Sequence, residues 1–184
     1  MAVCKDGKMG ELQKVSFGTK VAELVGDADV KAIAIGTKLY DASAMDMVIE
    51  ADTQIGNGVI TVYSSKCCMI HETEEVLLAE RKQSCGKCTF CREGLIQLHT
   101  MVKEITEGQG KKEFTDMMEE IGEAMTFSTP CTMGQTASDF AMGSLKYFAG
   151  EYEDHIKKKK CANNVCSAFM SIYIDPDLCE GCEE

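Results

Sequence analysis

The sequence lacks the features that direct a chain to a membrane, to export or to nucleic acid. No apolar run in its 184 residues approaches the roughly 20 residues that a membrane-spanning helix needs. Residues 1–6 have no apolar segment of the kind found in signal peptides. Lys and Arg number 19 against 30 Asp and Glu, and the net charge of −11 is opposite to that of a nucleic-acid-binding surface. We therefore expect a cytoplasmic protein with no membrane span and no nucleic-acid partner.

A glycine-rich phosphate-binding loop is also missing. Such loops follow a strand and open a helix in proteins that bind nicotinamide or flavin nucleotides. The two Gly-x-Gly segments of this sequence, Gly56–Gly58 and Gly108–Gly110, are instead typical of turns. We expect the chain to bind neither FMN nor NAD by itself.

Cysteine, in contrast, is abundant. A chain with eleven cysteines and no export signal is expected to keep them reduced and to use them for metal binding rather than for disulfides. Three of them, Cys85, Cys88 and Cys91, follow a C-x2-C-x2-C spacing. This spacing places three sulfurs on one side of a tight loop. It favours an iron–sulfur cluster over zinc, which usually takes its cysteines as separated pairs.

The fourth ligand of such a cluster has to come from elsewhere in the chain. In a ferredoxin a fourth cysteine and a proline come next, whereas here Arg92 and Glu93 follow. Cys131, in the segment Thr129–Gly134, is the best candidate. A set of buried structural thiols is the alternative. The predicted ligands of a 4Fe–4S cluster are therefore Cys85, Cys88, Cys91 and Cys131.

The complete motif resembles that of a known family. Ser84–Gly94, with Cys131-x-x-Gly134 beginning forty residues after Cys91, is similar to the iron–sulfur domain of the NADH-binding flavoprotein subunit of respiratory complex I. Related subunits of electron-bifurcating iron hydrogenases and of NAD-dependent formate dehydrogenases share this domain. The resemblance covers residues 10–182. The sequence departs from the family's usual motif at two positions, Gln83 and Phe90. Neither residue is a ligand, so these differences bear on the properties of the cluster and not on its presence.

The resemblance also implies a domain order. In the family, a soluble-ligand-binding β-grasp domain comes before the cluster domain, and an FMN- and NADH-binding domain would precede residue 10. The resemblance thus implies the electron-carrying half of such a subunit. The segment Gly36–Tyr40 is poor in glycine compared with the family, so a packing role is expected there rather than ligand binding.

Apolar patterning predicts an α+β fold. Residues 11–70 combine a short helix, Thr19–Val25, with strand-like segments, and together these suggest a small β-grasp-like module. The strands are expected at residues 13–17, 32–35 and 59–63. Residues 71–156 repeat apolar positions at helical spacing and predict a four-helix bundle that carries the cluster at one end. Residues 1–10 are expected to form a loose arm, and residues 157–184 a cysteine-rich tail.

Further metal ligands are concentrated near the tail. His155, Cys161, Cys166, Cys179 and Cys182 fall within 28 residues. The last two lie in a segment that resembles the start of the ferredoxin-like domain of hydrogenase-type relatives, but two cysteines cannot hold a ferredoxin cluster alone. We expect one zinc ion, bound by His155, Cys161, Cys166 and either Cys179 or Cys182. A second iron–sulfur cluster on the four cysteines, or a tail of free thiols, are the alternatives.

A pair of adjacent cysteines, Cys67 and Cys68, precedes the first helix of the predicted bundle. Adjacent cysteines rarely bind one metal, and free cysteine is among the most buried residue types. We expect both to serve as small buried residues.

These features and the resemblance predict an electron-transfer subunit of a multi-subunit, anaerobic oxidoreductase complex. The subunit would pass single electrons through one 4Fe–4S cluster between partner chains of flavoprotein, ferredoxin-like, dehydrogenase or hydrogenase type. Catalysis itself would lie on those partners. The alternative is a structural adaptor with zinc in both sites and no redox role.

Overall fold

A five-stranded mixed sheet forms the first part of the chain. The computed structural model describes residues 1–5 and 7–170. The strands are β1 (Ala2–Lys5), β2 (Lys8–Met9), β3 (Ala32–Ile35), β4 (Lys38–Asp41) and β5 (Val59–Tyr63). They lie in the order β2-β1-β5-β3-β4, with β1 parallel to β5 and the other neighbours antiparallel.

Both faces of this sheet are covered, as the sequence of β3 shows. Its Ala-Ile-Ala-Ile pattern buries all four residues, because side chains alternate between the faces of a strand. Ile33 and Ile35 pack beneath the short helix α1 (Val21–Val25). Ala32 and Ala34 face the helical part of the chain, against Met69 and Phe140. The small alanines on that side let the helices approach the sheet closely.

Two predictions for the first residues are wrong. Residues 1–10 are not a loose arm, because Ala2–Lys5 form β1 and pair with β5. The segment 13–17 is not a strand. Its Gln13 exchanges two hydrogen bonds with Met1, the residue before β1: the Gln13 N–H donates to the Met1 carbonyl, and the Met1 amino group donates to the Gln13 carbonyl. The strand β1 is too short to show a period, and its partner is more than fifty positions away in sequence.

Helices form the rest of the described chain. They are α2 (Met69–Gln83), α3 (Thr89–Thr106), α4 (Phe114–Ser128), α5 (Thr132–Thr136), α6 (Asp139–Tyr147) and α7 (Ala149–Ile156). Their shared core is built from the apolar stripes that the spacing predicted, with Leu95, Leu98, Val102 and Ile105 of α3 against Met118 and Met125 of α4. The α+β class is therefore confirmed.

The single fourth helix predicted after Cys131 is divided into α5, α6 and α7. Phe148 separates α6 from α7 with a non-helical backbone (φ −122°, ψ 29°), and its ring packs in the cluster that covers the sheet. The apolar spacing of Leu145, Phe148 and Tyr152 continues across this interruption. The sequence pattern therefore could not reveal it.

The helices bring two groups of cysteines to opposite ends of α2. The loop before α3 begins directly after the last residue of α2, whereas Cys68 stands directly before the first residue of that helix. The segment after α7 lies beside Cys68, and it also contacts the turn after α3, where Lys159 Nζ donates to the Gly108 carbonyl (2.8 Å). With a rise of about 1.5 Å per residue, the fifteen residues of α2 separate these ends by roughly 22 Å. Within the described residues, no helix has the length and apolar character that crossing a bilayer requires.

Candidate metal centres

The first candidate centre is the loop Ser84–Cys91, which we call the cluster loop. It starts where α2 ends, turns at Gly86 with φ +70°, and enters α3 after Cys88, the residue that precedes the first turn of that helix. A positive φ at Gly86 costs little because glycine has no Cβ. The turn spaces Cys85, Cys88 and Cys91 around one end of the molecule. It also places them beside the N-terminus of an eighteen-residue helix, where thiolates are stabilised.

Internal hydrogen bonds hold the cluster loop. The Arg92 guanidinium donates to the Gly86 carbonyl (2.9 Å), and the Gly86 N–H donates to Ser84 Oγ (3.3 Å). Ser84 Oγ in turn lies 3.4 Å from Cys91 Sγ. Cys91 is buried in the helical core, Cys88 is half-buried and Cys85 is exposed. The three sulfur atoms of the loop therefore lie at increasing depth, from the exposed Cys85 to the buried Cys91.

Cys131 stands at the start of α5, and this short helix packs against α3 and α4. The turn before it is fixed by Gln135 Nε2, which donates to the Thr129 carbonyl (3.0 Å), and by Thr129 Oγ1, which donates to the Met125 carbonyl (2.8 Å). Cys131 is exposed. It therefore lies at the end of a helix packed on α3, the helix that carries Cys88 and Cys91 at its own start.

The thiols of these four cysteines are available as ligands. All are free thiols, so none is consumed in a disulfide. In a 4Fe–4S cluster each cysteine binds a different iron, so the sulfurs stand apart instead of converging on one point. Among the described residues, the one group of His, Cys, Asp or Glu ligand atoms within 4.8 Å of one another lies elsewhere.

That group is the second candidate centre, which we call the buried Cys3His site. It consists of Cys68, His155, Cys161 and Cys166, all buried. Cys68 Sγ lies 3.8 Å from Cys166 Sγ and 3.5 Å from His155 Nε2, and Cys166 Sγ lies 3.4 Å from His155 Nε2. Three sulfurs and one imidazole nitrogen thus converge on a common centre inside the protein.

Three different segments build the buried Cys3His site. Cys68 directly precedes α2, and His155 lies in the last turn of α7. Cys161 and Cys166 come from the turn after α7, which reverses at Asn164 with φ +51°. Asparagine accepts this left-handed conformation better than most residues do. The ring of Phe169 packs edge-on against the imidazole of His155, with centroids 5.0 Å apart.

The imidazole of His155 is oriented for metal binding. A carbonyl can only accept, so the contact of 2.8 Å between His155 Nδ1 and the Glu151 carbonyl places a proton on Nδ1. The other nitrogen, Nε2, therefore faces the sulfurs of Cys68 and Cys166. Histidine ligands of metals commonly donate their second N–H to a backbone carbonyl in this way.

The short distances within the buried Cys3His site shift the pKa values of its thiols and its imidazole. The hydrogen bond between the two thiols lowers the pKa of Cys68 and raises the pKa of Cys166, because one proton is shared between two sulfurs. Burial alone would lower the pKa of His155, but the hydrogen bond and the charge of Cys68 raise it, to about 9. Burial raises the pKa of Cys161, and backbone N–H groups of Cys166 and Val165 more than offset this. The site holds one sulfur readily as a thiolate.

The structure brings together three of the residues predicted for the tail metal: His155, Cys161 and Cys166. The fourth member is Cys68, which sequence reasoning assigned to packing alone. Cys68 is indeed buried, but its thiol faces the site. A signal was present in the helix order, because the residue before α2 and the last turn of α7 lie at the same end. The predicted ligands Cys179 and Cys182 lie outside the described residues.

The cluster loop lies within a segment of the chain that matches a known family model. Residues 72–155 match the family model described as the NADH-ubiquinone oxidoreductase-F iron-sulfur binding region. The matched part includes all four cysteines predicted to bind the cluster. The resemblance indicated by the cysteine motif is confirmed.

Similar proteins are subunits of hydrogenases and quinone reductases. The sequence is 34% identical to the NADP-reducing hydrogenase subunit HndC of Solidesulfovibrio fructosivorans over 70% of this chain and 26% of the relative. It is 30% identical to the F subunit of the NADH-quinone oxidoreductase of Streptomyces coelicolor over 60% of this chain and 25% of the relative. The chain thus spans about a quarter of the length of these relatives.

The fold is shared with a chain of the NAD+-reducing NiFe hydrogenase in the air-oxidized state. The TM-score is 0.76 with 17% sequence identity, and the match covers 85% of this chain and 30% of that chain. The sheet and the helices therefore occur together in that larger chain.

Proposed function

We propose that this protein is an electron-transfer subunit of a multi-subunit redox complex. Its cofactor would be one 4Fe–4S cluster held by Cys85, Cys88, Cys91 and Cys131. The observation that carries the proposal is the C-x2-C-x2-C loop within a region that matches the iron–sulfur family model. When bound, such a cluster accepts and releases one electron at a time.

The chain itself would bind, shield and present the cluster. Four thiolates give the site a net negative charge, which the nearby Lys87 and Arg92 and the N-terminus of α3 partly offset. The buried Cys91 would anchor the inner side. The exposed Cys85 and Cys131 would leave the outer side near the surface, where a partner subunit can exchange electrons. Hydride or hydrogen chemistry, and binding of FMN or NAD, would belong to partner chains.

We further propose that the buried Cys3His site holds one structural zinc ion. With Zn–S about 2.3 Å and Zn–N about 2.0 Å, tetrahedral geometry sets the sulfurs roughly 3.8 Å apart and sulfur and nitrogen roughly 3.5 Å apart. The observed separations are 3.8 Å between Cys68 and Cys166, and 3.5 and 3.4 Å from these sulfurs to His155 Nε2. Three cysteines and one histidine with no open position are typical of structural zinc.

This ligand set replaces the one that the tail composition favoured. With Cys68 as the fourth member, the site is complete without either Cys179 or Cys182. A second iron–sulfur cluster on the four tail cysteines is disfavoured, because Cys161 and Cys166 already converge with a histidine on one point.

A structural adaptor with zinc in both sites is the second candidate function. Its support is the convergence of ligands in the buried Cys3His site. Colour separates the two functions, because an iron–sulfur protein is brown and absorbs broadly in the visible range, whereas a zinc protein is colourless. We expect brown protein that carries about four irons and one zinc per chain.

The test is anaerobic purification, followed by metal analysis and electron paramagnetic resonance of the reduced protein. Cys131→Ala should abolish the four-iron signal, because one iron loses its thiolate. Cys4→Ala, on β1 and far from the cluster loop in sequence, is the matched control and should leave the signal unchanged. Colourless wild-type protein with two zinc ions would overturn the electron-transfer proposal. An unchanged spectrum of Cys131→Ala would overturn the ligand assignment.

A further inference from the structure

Ser84 places a hydroxyl group against one of the proposed cluster ligands. It is the residue that ends α2, and its backbone N–H donates to the Glu80 carbonyl (2.9 Å). Its Oγ accepts a hydrogen bond from the Gly86 N–H (3.3 Å) and lies 3.4 Å from Cys91 Sγ. The hydroxyl is thus fixed from two sides, by a helix end and by the turn of the cluster loop.

The direction of the Ser84–Cys91 bond follows from the chemistry of the ligand. With both groups protonated, either could be the donor. A cysteine that binds iron has lost its proton, so its sulfur can only accept. The Gly86 N–H uses one acceptor position of Ser84 Oγ, and the serine O–H remains free to donate to the sulfur 3.4 Å away.

We propose that the Ser84 hydroxyl donates a hydrogen bond to the Cys91 thiolate and thereby raises the reduction potential of the cluster. The proposal rests on the proposed function, since it requires the cluster at these cysteines. Reduction adds negative charge to a cluster and its sulfur ligands. A donor that faces such a sulfur stabilises the reduced state more than the oxidised state, and the potential rises.

The position of the bond makes its effect specific. Cys91 is the buried ligand, so its sulfur is removed from the water that reaches the exposed Cys85 and Cys131. In a low-dielectric setting one fixed donor counts for more than it would in water. Among the described side chains, Ser84 is the only one that forms a hydrogen bond with a sulfur of the cluster loop. Removing it should therefore not be compensated by a neighbouring side chain.

The experiment is a redox titration of the full chain, purified anaerobically and followed by electron paramagnetic resonance. We expect Ser84→Ala to shift the ratio of oxidised to reduced cluster about tenfold at a given potential, which is a midpoint about 59 mV more negative. Ser84→Thr and Ser84→Val form a matched pair, because they have the same shape and differ in the hydroxyl. The Thr variant should keep the wild-type potential, and the Val variant should follow Ala. Thr100→Ala, an exposed hydroxyl on α3 bonded to the Ile96 carbonyl, should shift nothing.

Each remaining outcome contradicts the proposal in a different way. An unshifted midpoint in Ser84→Ala would show that the hydroxyl does not tune the cluster. Equal shifts in the Thr and Val variants would assign the effect to side-chain volume. A cluster retained by Ser84→Thr but lost from both Ala and Val variants would show that the hydroxyl holds the cluster rather than sets its potential. A wild-type protein without any cluster would overturn the proposed function and this inference with it.

Discussion

Cys67 and Cys68 are neighbours in sequence but have separate roles in the structure. Cys68 Sγ points into the buried Cys3His site, 3.8 Å from Cys166 Sγ. Cys67 Sγ instead lies 3.9 Å from Ser64 Oγ, and the Cys67 carbonyl accepts a hydrogen bond from Lys31 Nζ (2.6 Å). The backbone of Cys68 is extended before α2 begins, so the two side chains point to opposite sides.

This arrangement provides a test with two adjacent variants. We expect Cys68→Ala to lose most of its zinc, because the site then has three ligands and one open, buried position. Cys67→Ala should keep about one zinc per chain, since its sulfur lies outside the site. The measurement is elemental analysis of protein exchanged into metal-free buffer. Equal zinc content in the two variants would show that the metal is bound elsewhere.

At the residue scale, the sequence points to groups of candidate ligands where their members are close together along the chain. The spacing of Cys85, Cys88 and Cys91 is a local feature, and so is the proximity of Cys161 and Cys166 to His155. Cys68 is 87 positions away from His155, and only the packing of α2 against α7 brings them together. No spacing rule contains that information. The hydroxyl of Ser84 was equally hidden, because its partner depends on the turn at Gly86.

At the scale of elements, the contact between α6 and β4 joins the helices to the sheet. Gly143 of α6 lies against the Leu39 backbone of β4, and a Cβ at Gly143 would stand 2.5 Å from the Leu39 carbonyl oxygen. Glycine is required at this position by close approach rather than by backbone conformation.

Gly143→Ala should therefore destabilise the protein, by about 1–3 kcal/mol, because α6 has to move away from the sheet. Gly150 offers the matched control within α7, since nothing lies within 4 Å of the place that a Cβ would take there. Gly150→Ala should stabilise the protein by about 0.4–1 kcal/mol through the entropy of the unfolded chain. Denaturant unfolding of the metal-loaded proteins measures both. A Gly143→Ala protein as stable as wild type, or as stable as Gly150→Ala, would contradict the close contact.

Helices and strands were predictable where buried apolar residues repeat at a regular spacing along the sequence. The strands β3 and β5 and the helices α2, α3 and α4 follow from apolar spacing. The strand β1 was missed because a four-residue segment gains its structure from a distant partner. The break at Phe148 was missed because the same ring that continues the helical stripe packs against the sheet.

At the scale of the whole molecule, the two candidate centres lie at opposite ends of α2. The buried Cys3His site ties this helix to α7 and to the turn after α7, and Lys31 next to β3 joins the same region through an ion pair with Glu151 (2.7 Å). The cluster loop has no residue in common with that network. The two centres should therefore act independently.

Removal of zinc with a chelator tests this independence. We expect faster hydrogen exchange in residues 153–169 and at the start of α2, because the ligands no longer hold these segments together. The midpoint potential of the cluster should change little, since roughly 22 Å of helix separates it from the zinc. Exchange mass spectrometry and redox titration measure the two effects on one sample. A cluster that is lost or strongly shifted when zinc leaves would show that the centres are coupled.

The position of α2 between the two centres also limits how the chain can change in length. Cys68 and Ser84 stand sixteen positions apart, one at each end of this helix. Adding or deleting one residue within α2 would rotate one end relative to the other by about 100° and shift it by about 1.5 Å. Cys68 would then turn away from His155, or Ser84 would turn away from Cys91. The length and phase of α2 therefore set the positions of both candidate centres at once.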